Sequence, residues 1–445
     1  MTNDGNAGTG ERGNARAPAA VDPETISGPA IPRSRVPGSL WRHPDFLKLW
    51  SAQTISVFGS QFTNLAIPLI AALTLRATPA QMGVLTAVET APFLLIGLLA
   101  GVWVDRLPGR PILVAGDIGR GIVLLTIPLA ALAGRLTMAQ LYAVGFLVGV
   151  LTVFFDVAYQ AFLPSLVERT QLIEGNSKLE VSRSAAQVTG PGIAGVLIQA
   201  LSAPVVIVLD AVSFFVSGFL IGMIRRREEP PARTGRGAML AEAREGLAVV
   251  FGNPLLRSIA GTTGTSNFFA AALFSILILY ATRTLGLMAA SIGLVFTIGS
   301  LGALVGALTG GRLGRALGVG PAIIGSIFVA GLGFVIVVAA TPQTAVLLLA
   351  AGGVLGSFGG VVYNINQVSL RQAITPQRLQ GRMNATMRFI VWGTMPLGGL
   401  AGGYLGEVLG LRPAIAVTAA GGLLAFLWVL FSPVRTLRAI PEPVE

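Results

Sequence analysis

The chain has 445 residues, only 11% of them charged, and a mean hydropathy of +0.75. Soluble domains carry roughly 25% charged residues, so this composition excludes an ordinary soluble protein and predicts a polytopic membrane protein. The sequence contains no Cys and a single His, His43, just before the first apolar segment. Disulfides, thiolate metal sites and cysteine nucleophiles are therefore excluded, and we expect no enzymatic activity, no metal and no other cofactor.

Residues 1–40 are rich in Gly, Ala, Pro, Asn and Arg and show no apolar periodicity. Such a segment cannot bury a hydrophobic core, so we predict a disordered cytoplasmic tail. No apolar stretch typical of a cleavable signal lies near Met1, so we expect the first span to remain as an uncleaved anchor.

Twelve apolar stretches predict an all-α membrane fold, because each is long enough to cross a bilayer as a helix of about 20 residues. Six lie in residues 41–224 and six in residues 255–431, and residues 432–445 are expected to form a second cytoplasmic tail. The predicted spans are 46–73, 80–103, 112–133, 138–162, 179–201, 203–224, 255–282, 287–309, 320–341, 343–367, 383–405 and 412–431.

A linker at residues 225–254 separates the two groups of six. It opens with three consecutive Arg and a Pro-Pro pair, and its second part has the pattern of a short amphipathic helix. We expect that helix to lie in the plane of the lipid headgroups. Its apolar face comprises Leu240, Ala243, Leu247, Val250 and Phe251.

Basic residues are concentrated in every second loop. Only Arg76, Arg135, Arg283 and Arg412 fall on one side of the membrane, Arg120 lies within a span, and all other Lys and Arg fall on the opposite side. Short loops rich in Lys and Arg stay cytoplasmic, so both termini are predicted to face the cytoplasm. This topology, with contact to anionic lipids, accounts for the net charge of +11, because no basic patch is interleaved with aromatics as in a nucleic-acid site.

The two groups of six spans resemble each other. Residues 101–106 (GVWVDR), at the end of span two, recur as residues 310–315 (GGRLGR), 209 positions later at the end of span eight. The long loop at Leu166 to Lys178 is echoed at Leu370 to Arg382. Weak repetition between six-span halves is typical of transporters, and it predicts a substrate site between the halves near the midplane.

Residues 101–110 (GVWVDRLPGR) resemble the signature of the major facilitator superfamily between its second and third helices. The matching positions are Gly101, Asp105, Arg106 and Arg110, with one extra residue in the turn. The resemblance implies a gate in which Asp105 caps a neighbouring helix and pairs with Arg in one access state. In the second copy Gly314 replaces the acid, so a latch there would be weaker or absent.

Span five resembles the Gly/Pro motif of the superfamily's antiporters at Ala186, Gly190, Pro191, Ala194 and Gly195, with Ala for Gly at two positions. The resemblance implies a kinked span that packs tightly against a facing helix and seals the cavity against leakage. The Arg that many proton-coupled members carry early in span four is missing, which puts the usual coupling route in doubt.

Residues 41–435 as a whole resemble the enterobactin-exporter and macrolide-efflux-like branch of the superfamily. Three stretches carry this resemblance: FLKLW at 46–50, FDVAYQAFLP at 155–164 and LDAVSFF at 209–215. The resemblance implies twelve transmembrane helices in two pseudo-symmetric halves.

Ionisable residues within spans are functional candidates, because a charge inside the membrane is costly. Glu89, near the centre of span two, has no Lys or Arg within two turns on its own helix, and we predict that it carries the coupling proton. Asp156, in the cytoplasmic half of span four, is the weaker candidate because water reaches it more easily. Asp117 and Arg120, at i and i+3, are interpreted as a structural pair, and Asp210 is expected to bond to backbone or hydroxyl groups.

Polar and aromatic side chains near the midplane are predicted to line a substrate cavity. Acidic groups with almost no midplane Lys or Arg favour neutral or cationic amphiphiles over anions. The predicted cavity residues are Gln61, Phe62, Asn64, Phe154, Gln187, Asn267, Phe268 and Trp392.

The sequence thus predicts a monomeric, multi-pass exporter of the bacterial cytoplasmic membrane. Its expected partners are protons, lipids and an amphiphilic small molecule, such as a drug, a siderophore or a secondary metabolite. Proton antiport by alternating access is the expected mechanism. Two alternatives stay open: a proton symporter importing a polar nutrient, which uptake of radiolabelled sugars or peptides would reveal, and a non-transporting membrane sensor or scaffold.

Overall fold

The computed structural model describes residues 39–104, 107–225 and 239–439, and every regular element in these ranges is a helix. The predictions for residues 1–38, 105–106, 226–238 and 440–445 lie outside the described residues. The α-helices are α1 (Pro44–Leu69), α2 (Pro79–Leu95), α3 (Gly97–Val104), α4 (Gly109–Leu132), α5 (Met138–Leu166), α6 (Leu172–Leu201), α7 (Ala203–Gly222), α8 (Met239–Gly252), α9 (Pro254–Leu279), α10 (Ala289–Leu317), α11 (Val319–Val338), α12 (Ala345–Ile374), α13 (Gln380–Leu409), α14 (Leu411–Leu424) and α15 (Leu427–Leu430).

Within the described ranges, nine helical segments are long and apolar enough to cross a membrane. The helices at the three other predicted spans are less regular or less apolar. α2 and α3 are separate helices, because the helix that contains Pro92 ends at Leu95 and a new one begins at Gly97. α6 and α13 open with polar and charged turns. The count of twelve spans and the cytoplasmic position of the termini therefore stay predictions.

The two halves pack their helices in the same pattern. α1 packs against α6 and α7, and α9 packs in the same way against α13 and α14. α4 contacts α5 and α7, just as α11 contacts α12 and α14. Corresponding helices of the two halves therefore have corresponding neighbours. The duplication, which is weak in the sequence, is clear in the structure.

The turn that repeats in the two halves is shorter than the sequence indicated. α5 ends at Leu166 and α6 already begins at Leu172, after a single 3-10 turn at Arg169–Gln171. The second half has the same arrangement, with a 3-10 turn at Gln377–Leu379 between α12 and α13. The expectation of a long loop was wrong, because a capping box between Glu168 and Gln171 starts the next helix early.

The linker helix α8 packs against the beginning of α13. Val250 is fully buried there, and Glu245 forms an ion pair with Arg382. Leu247 and Phe251 remain about half exposed, so only part of the predicted apolar face turns toward the bundle. The side chains of Leu240 and Ala243 lie outside the described residues.

The halves meet through two equivalent helix pairs, α2 with α13 and α6 with α10. Glycines bring the backbones together: a β-carbon added at Gly403 would lie 2.7 Å from the Cα of Gly83. At the other pair, a β-carbon added at Gly195 would lie 3.0 Å from the Cα of Gly293. Small residues are the usual means of close helix approach in membranes, where lipid gives no hydrophobic drive for helices to associate.

Replacing Gly403 by Leu should destabilise the protein, because the new side chain would collide with backbone that cannot rotate away. Overpacking typically costs about 1–3 kcal/mol, so the melting temperature in detergent should fall measurably. Gly381→Leu on the same helix is the matched control, since nothing lies within 4 Å of a β-carbon there. Equal melting temperatures for the two variants would contradict the close-contact interpretation.

Candidate functional site

A symmetric pair of hydrogen bonds joins the two halves at the end that the sequence predicts to face the outside. Oε2 of Glu407, near the end of α13, accepts the N–H of Ala80 at 3.1 Å. Oε1 of Gln199, near the end of α6, accepts the N–H of Ala290 at 3.2 Å. Ala80 and Ala290 each occupy the second position of their helix, where the N–H group has no partner within the helix. Each half therefore caps a helix of the other.

Arg283 adds a third connection at this end. Its Nη2 donates to the carbonyl oxygens of Ala77 at 2.8 Å and Ala72 at 3.3 Å, both in the first half. Sequence reasoning assigned Arg283 only to topology and missed Gln199 and Glu407. The sequence did contain a signal for these two residues. The interval between Gln199 and Glu407 is almost the same as that between the two copies of the signature, so they occupy corresponding positions in the two halves.

The gating motif is only partly described. Gly101 lies in α3, which packs mainly on α5 of its own half, whereas Asp105 and Arg106 lie outside the described residues. Arg110, in the first turn of α4, donates a hydrogen bond to the carbonyl of Gly222 at the end of α7. The described part of the motif thus ties helices within the first half.

The antiporter-like motif lies on α6, which continues through Pro191 from Leu172 to Leu201. Ala186 and Ala194 are fully buried. A β-carbon at Gly190 would lie 2.6 Å from the Cβ of Gln61 on α1, and the carbonyl of Pro191 contacts Gly293 on α10. The motif therefore faces both its own half and the other half, while its sealing role stays a prediction.

Glu89 is partly buried between α2 and α5. A β-carbon at Gly145 of α5 would lie 2.9 Å from the Cγ of Glu89, and one at Gly149 would lie 2.8 Å from the Cγ of Pro92. The two glycines make room for the carboxyl group and for the proline one turn later. No hydrogen bond or ion pair joins the Glu89 carboxylate to another described residue.

Asp156 has a different environment. Its side chain is exposed, and it interacts electrostatically with Arg120 and with Arg183 on α6. Tyr159, three residues later, lies within the electrostatic range of the same Arg183. Two cations therefore act on Asp156 at a distance, whereas no cation among the described residues acts on Glu89 in this way.

The Asp117–Arg120 pair is confirmed as an ion pair inside the first half. Both side chains are buried, and Asp117 also accepts a hydrogen bond from Ser217 of α7 at 2.6 Å. The guanidinium of Arg120 lies between two rings, 4.3 Å from the centroid of Phe155 and 4.2 Å from that of Phe214. The pair therefore joins α4, α5 and α7 through charge, hydrogen-bond and cation–π contacts.

Asp210 lies in the contact between α7 and α1 and is 1% exposed. Its Oδ1 accepts a hydrogen bond from Ser213 at 3.0 Å, which is the expected hydroxyl partner. A β-carbon at Gly59 would collide with the same carboxylate oxygen, so only glycine fits opposite it. Oδ2 has no hydrogen-bond partner in the described part of the chain.

The predicted cavity residues do not form one cluster. Trp392 stacks on Phe93 of the other half, with ring centroids 4.2 Å apart. Phe154 lies 6.3 Å from the ring of Trp103 within the first half, and Asn267 donates to the carbonyl of Thr263 on its own helix. The remaining members are Gln61, Phe62 and Phe268, partly buried, and Asn64 and Gln187, exposed.

A cavity of about 310 Å³ lies elsewhere, between α9, α10, α11 and α12 of the second half. None of the predicted cavity residues lines it. The sequence did not indicate it, because a void between four apolar helices has no local pattern.

Removing the charge of Asp117 should destabilise the first half. Asp117→Asn leaves the Arg120 guanidinium buried without its counter-ion, and breaking a buried pair in this way typically costs about 3–5 kcal/mol. Thermal unfolding in detergent should show a large decrease in melting temperature. Asp156→Asn is the control, since its exposed carboxylate should contribute little; a similar decrease for both variants would argue against the structural role.

Known proteins resemble the chain in sequence and in fold. The profile of a family described as transmembrane secretion effector matches residues 37–443. The multidrug efflux pump Tap of Mycolicibacterium fortuitum is 26% identical over 415 residues, which make up 90% of this chain and 99% of that protein. The enterobactin exporter EntS of Salmonella choleraesuis (strain SC-B67) is 26% identical over 351 residues, 77% of this chain and 81% of that protein.

A solved structure has a similar fold. The crystal structure of a bacterial homologue of the iron transporter ferroportin, in an inward-facing state, matches with a TM-score of 0.72 at 19% identity. The match covers 88% of this chain and 98% of that one.

Proposed function

Because the chain belongs to the transmembrane secretion effector family of the major facilitator superfamily, we propose that it exports amphiphilic small molecules in exchange for protons. It is a multi-pass transporter of the bacterial cytoplasmic membrane and not an enzyme. The names of the relatives, an efflux pump and an enterobactin exporter, support an exporter. The coupling ion and the substrate class rest on the residues of this chain.

Alternating access is supported by the interface between the halves. The α2–α13 and α6–α10 pairs are equivalent, so the halves rock about a pseudo-symmetric contact. The hydrogen bonds of Gln199, Arg283 and Glu407 hold the predicted outer end closed. The substrate then enters from the cytoplasmic side, where Gly101, Asp105, Arg106 and Arg110 form the opposing gate.

The observation that carries proton coupling is the unpartnered carboxyl of Glu89. A carboxylate inside the membrane needs a cation, hydrogen-bond donors or a proton, and the described residues offer Glu89 neither of the first two. A proton taken up from the outer side neutralises it, and release follows when substrate entry or hydration stabilises the charged form. Asp156 has Arg120 and Arg183 within electrostatic range, which makes it the weaker candidate for the coupling proton.

The substrate is a neutral or cationic amphiphile. The acidic groups Glu89 and Asp156 attract positive charge, and the apolar and aromatic side chains of the helices accept hydrocarbon. We assign the polar contacts to Gln61, Asn64 and Gln187, none of which is fully buried.

Glu89→Gln should abolish proton-driven export while leaving substrate binding intact, because glutamine keeps the shape of the side chain but does not titrate. Export of a cationic dye such as ethidium from proteoliposomes under a pH gradient measures the first effect. Dye binding across a pH series measures the second, which should lose most of its pH dependence. Glu180→Gln, an exposed charge removal on α6, is the control. Export at the wild-type rate by Glu89→Gln would exclude Glu89 as the coupling residue.

Glu407→Ala should open the outer end. The bond is exposed to solvent, so its loss should cost about 0.5–1.5 kcal/mol, which changes the ratio of the two access states by about two- to tenfold. The sequence has no Cys, so spin labels at Leu132→Cys and Leu347→Cys, both exposed at this end, would report the distance between the halves. Glu180→Ala, at an exposed position on α6, is the control. An unchanged distance distribution in Glu407→Ala would contradict the latch.

A further inference from the structure

The cavity of the second half lies between four helices and has an apolar lining. Leu273 and Leu277 of α9, Val295 and Phe296 of α10, and Phe334 of α11 form much of its wall. Its volume of about 310 Å³ lies at the lower end of the roughly 300–1,000 Å³ typical of ligand pockets. A short alkyl chain or a small ring system fits this space.

Among the described residues, the side chains of the lining offer no free hydrogen-bond donor. Its two hydroxyl groups belong to Ser300 and Ser357. Ser300 donates to the carbonyl of Thr297 at 2.7 Å, and Ser357 donates to the carbonyls of Gly353 at 2.8 Å and Gly299 at 2.5 Å. Only the two hydroxyl oxygens remain as side-chain acceptors, so a polar ligand would lose most of its hydrogen bonds to water and the cavity favours hydrocarbon.

The glycines of the lining set how closely the surrounding helices approach each other. A β-carbon at Gly333 would lie 2.5 Å from the carbonyl oxygen of Gly352, and one at Gly299 would lie 3.2 Å from the Cα of Gly353. These contacts fix the distances between helices at the edges of the cavity. At Gly356, in contrast, the nearest atom to a β-carbon is Cε1 of Phe334 at 4.0 Å, so this position faces free space.

The cavity has an opening beside Phe274. This side chain lines the cavity, yet 51% of its surface is exposed, while its neighbours Leu273 and Ser275 are buried. Asn267 lies seven residues earlier on α9, which places it on the same face two turns closer to the cytoplasmic end. Asn267, which is predicted to line the substrate path, therefore lies on the helix face that carries Phe274.

We propose that this cavity binds the apolar group of the transported molecule, while its polar or cationic end stays near Asn267. The assignment rests on the proposed export function, and it defines the substrate class further: an amphiphile whose apolar end is short and carries no hydrogen-bonding group. Sugars, free metal ions and polyhydroxylated molecules do not fit such a site.

The test is a chain-length series. Binding of n-alkyltrimethylammonium ions, from butyl to decyl, is measured with the full-length protein in lipid nanodiscs, and binding to empty nanodiscs is subtracted. Detergent is avoided because its own alkyl chains would enter the cavity. Each added methylene should tighten binding about fourfold until the cavity is full, since a buried methylene contributes about 0.8 kcal/mol.

Gly356→Leu fills the cavity and should weaken binding of the longer ions about tenfold or more, with the affinity levelling off at a shorter chain. Gly356→Ala, which adds a single methyl group, should show a smaller loss and covers the case in which the Leu variant does not fold. Gly360→Leu is the matched control, because it lies one turn later on α12, lines no part of the cavity and has nothing within 4 Å.

An unchanged chain-length dependence in a folded Gly356 variant would overturn the assignment. A photoreactive phospholipid provides a second test. If it labels α9 beside Phe274 and the decyl ion does not displace it, the occupant is a membrane lipid and the assignment is overturned. Neither measurement uses a proton gradient. Failure of this site therefore leaves the export proposal intact, and failure of Glu89 as the coupling residue leaves the site intact.

Discussion

The close approach of glycine-lined backbones between the halves is the contact on which the other features depend. In lipid, two helices gain nothing by hiding apolar side chains from each other, so they associate through close van der Waals packing and hydrogen bonds. Gly83, Gly403, Gly195 and Gly293 provide that packing, and Ala80 and Ala290 are brought within reach of side chains from the opposite half as a result. The outer closure and the equivalence of the two helix pairs both follow from this spacing.

The polar residues inside the membrane divide according to how their charge is compensated. Asp117 and Arg120 neutralise each other and hold three helices of the first half together. Asp210 is fixed by a hydroxyl group on its own helix. Glu89 alone among these carboxylates has neither kind of partner in the described ranges, which separates a group that can change its protonation from groups that build the scaffold. The separation depends on which carboxylates have a partner within reach.

The sequence predicted what depends on composition or on a single helix. The helices follow the apolar stretches because hydropathy and length determine what can cross a bilayer. The Asp117–Arg120 pair follows from its i, i+3 spacing, and the hydroxyl partner of Asp210 lies one turn away on the same helix. The small residues of α6 were identified as packing positions for the same reason, because the motif is local.

Features that arise between distant segments could not be predicted in this way. The contact of Glu407 with Ala80 joins residues from opposite ends of the chain, and the cavity beside Phe274 exists only where four helices fail to fill the space between them. The early start of α6 was missed because turn chemistry, and not hydropathy, decides it. Local patterns define the elements, whereas the site is defined by how the elements meet.

The two caps at the predicted outer end are equivalent in position but not in chemistry, which would give the opening movement of the proposed transport cycle a direction. One cap uses the carboxylate of Glu407 and the other the neutral amide of Gln199. Hydrogen bonds to an ionised acceptor are roughly twice as strong as neutral ones. The amide side should therefore separate first, with the carboxylate side acting as the hinge. The halves would then separate asymmetrically, by rotation about the Glu407 side, although the fold itself is a symmetric duplication.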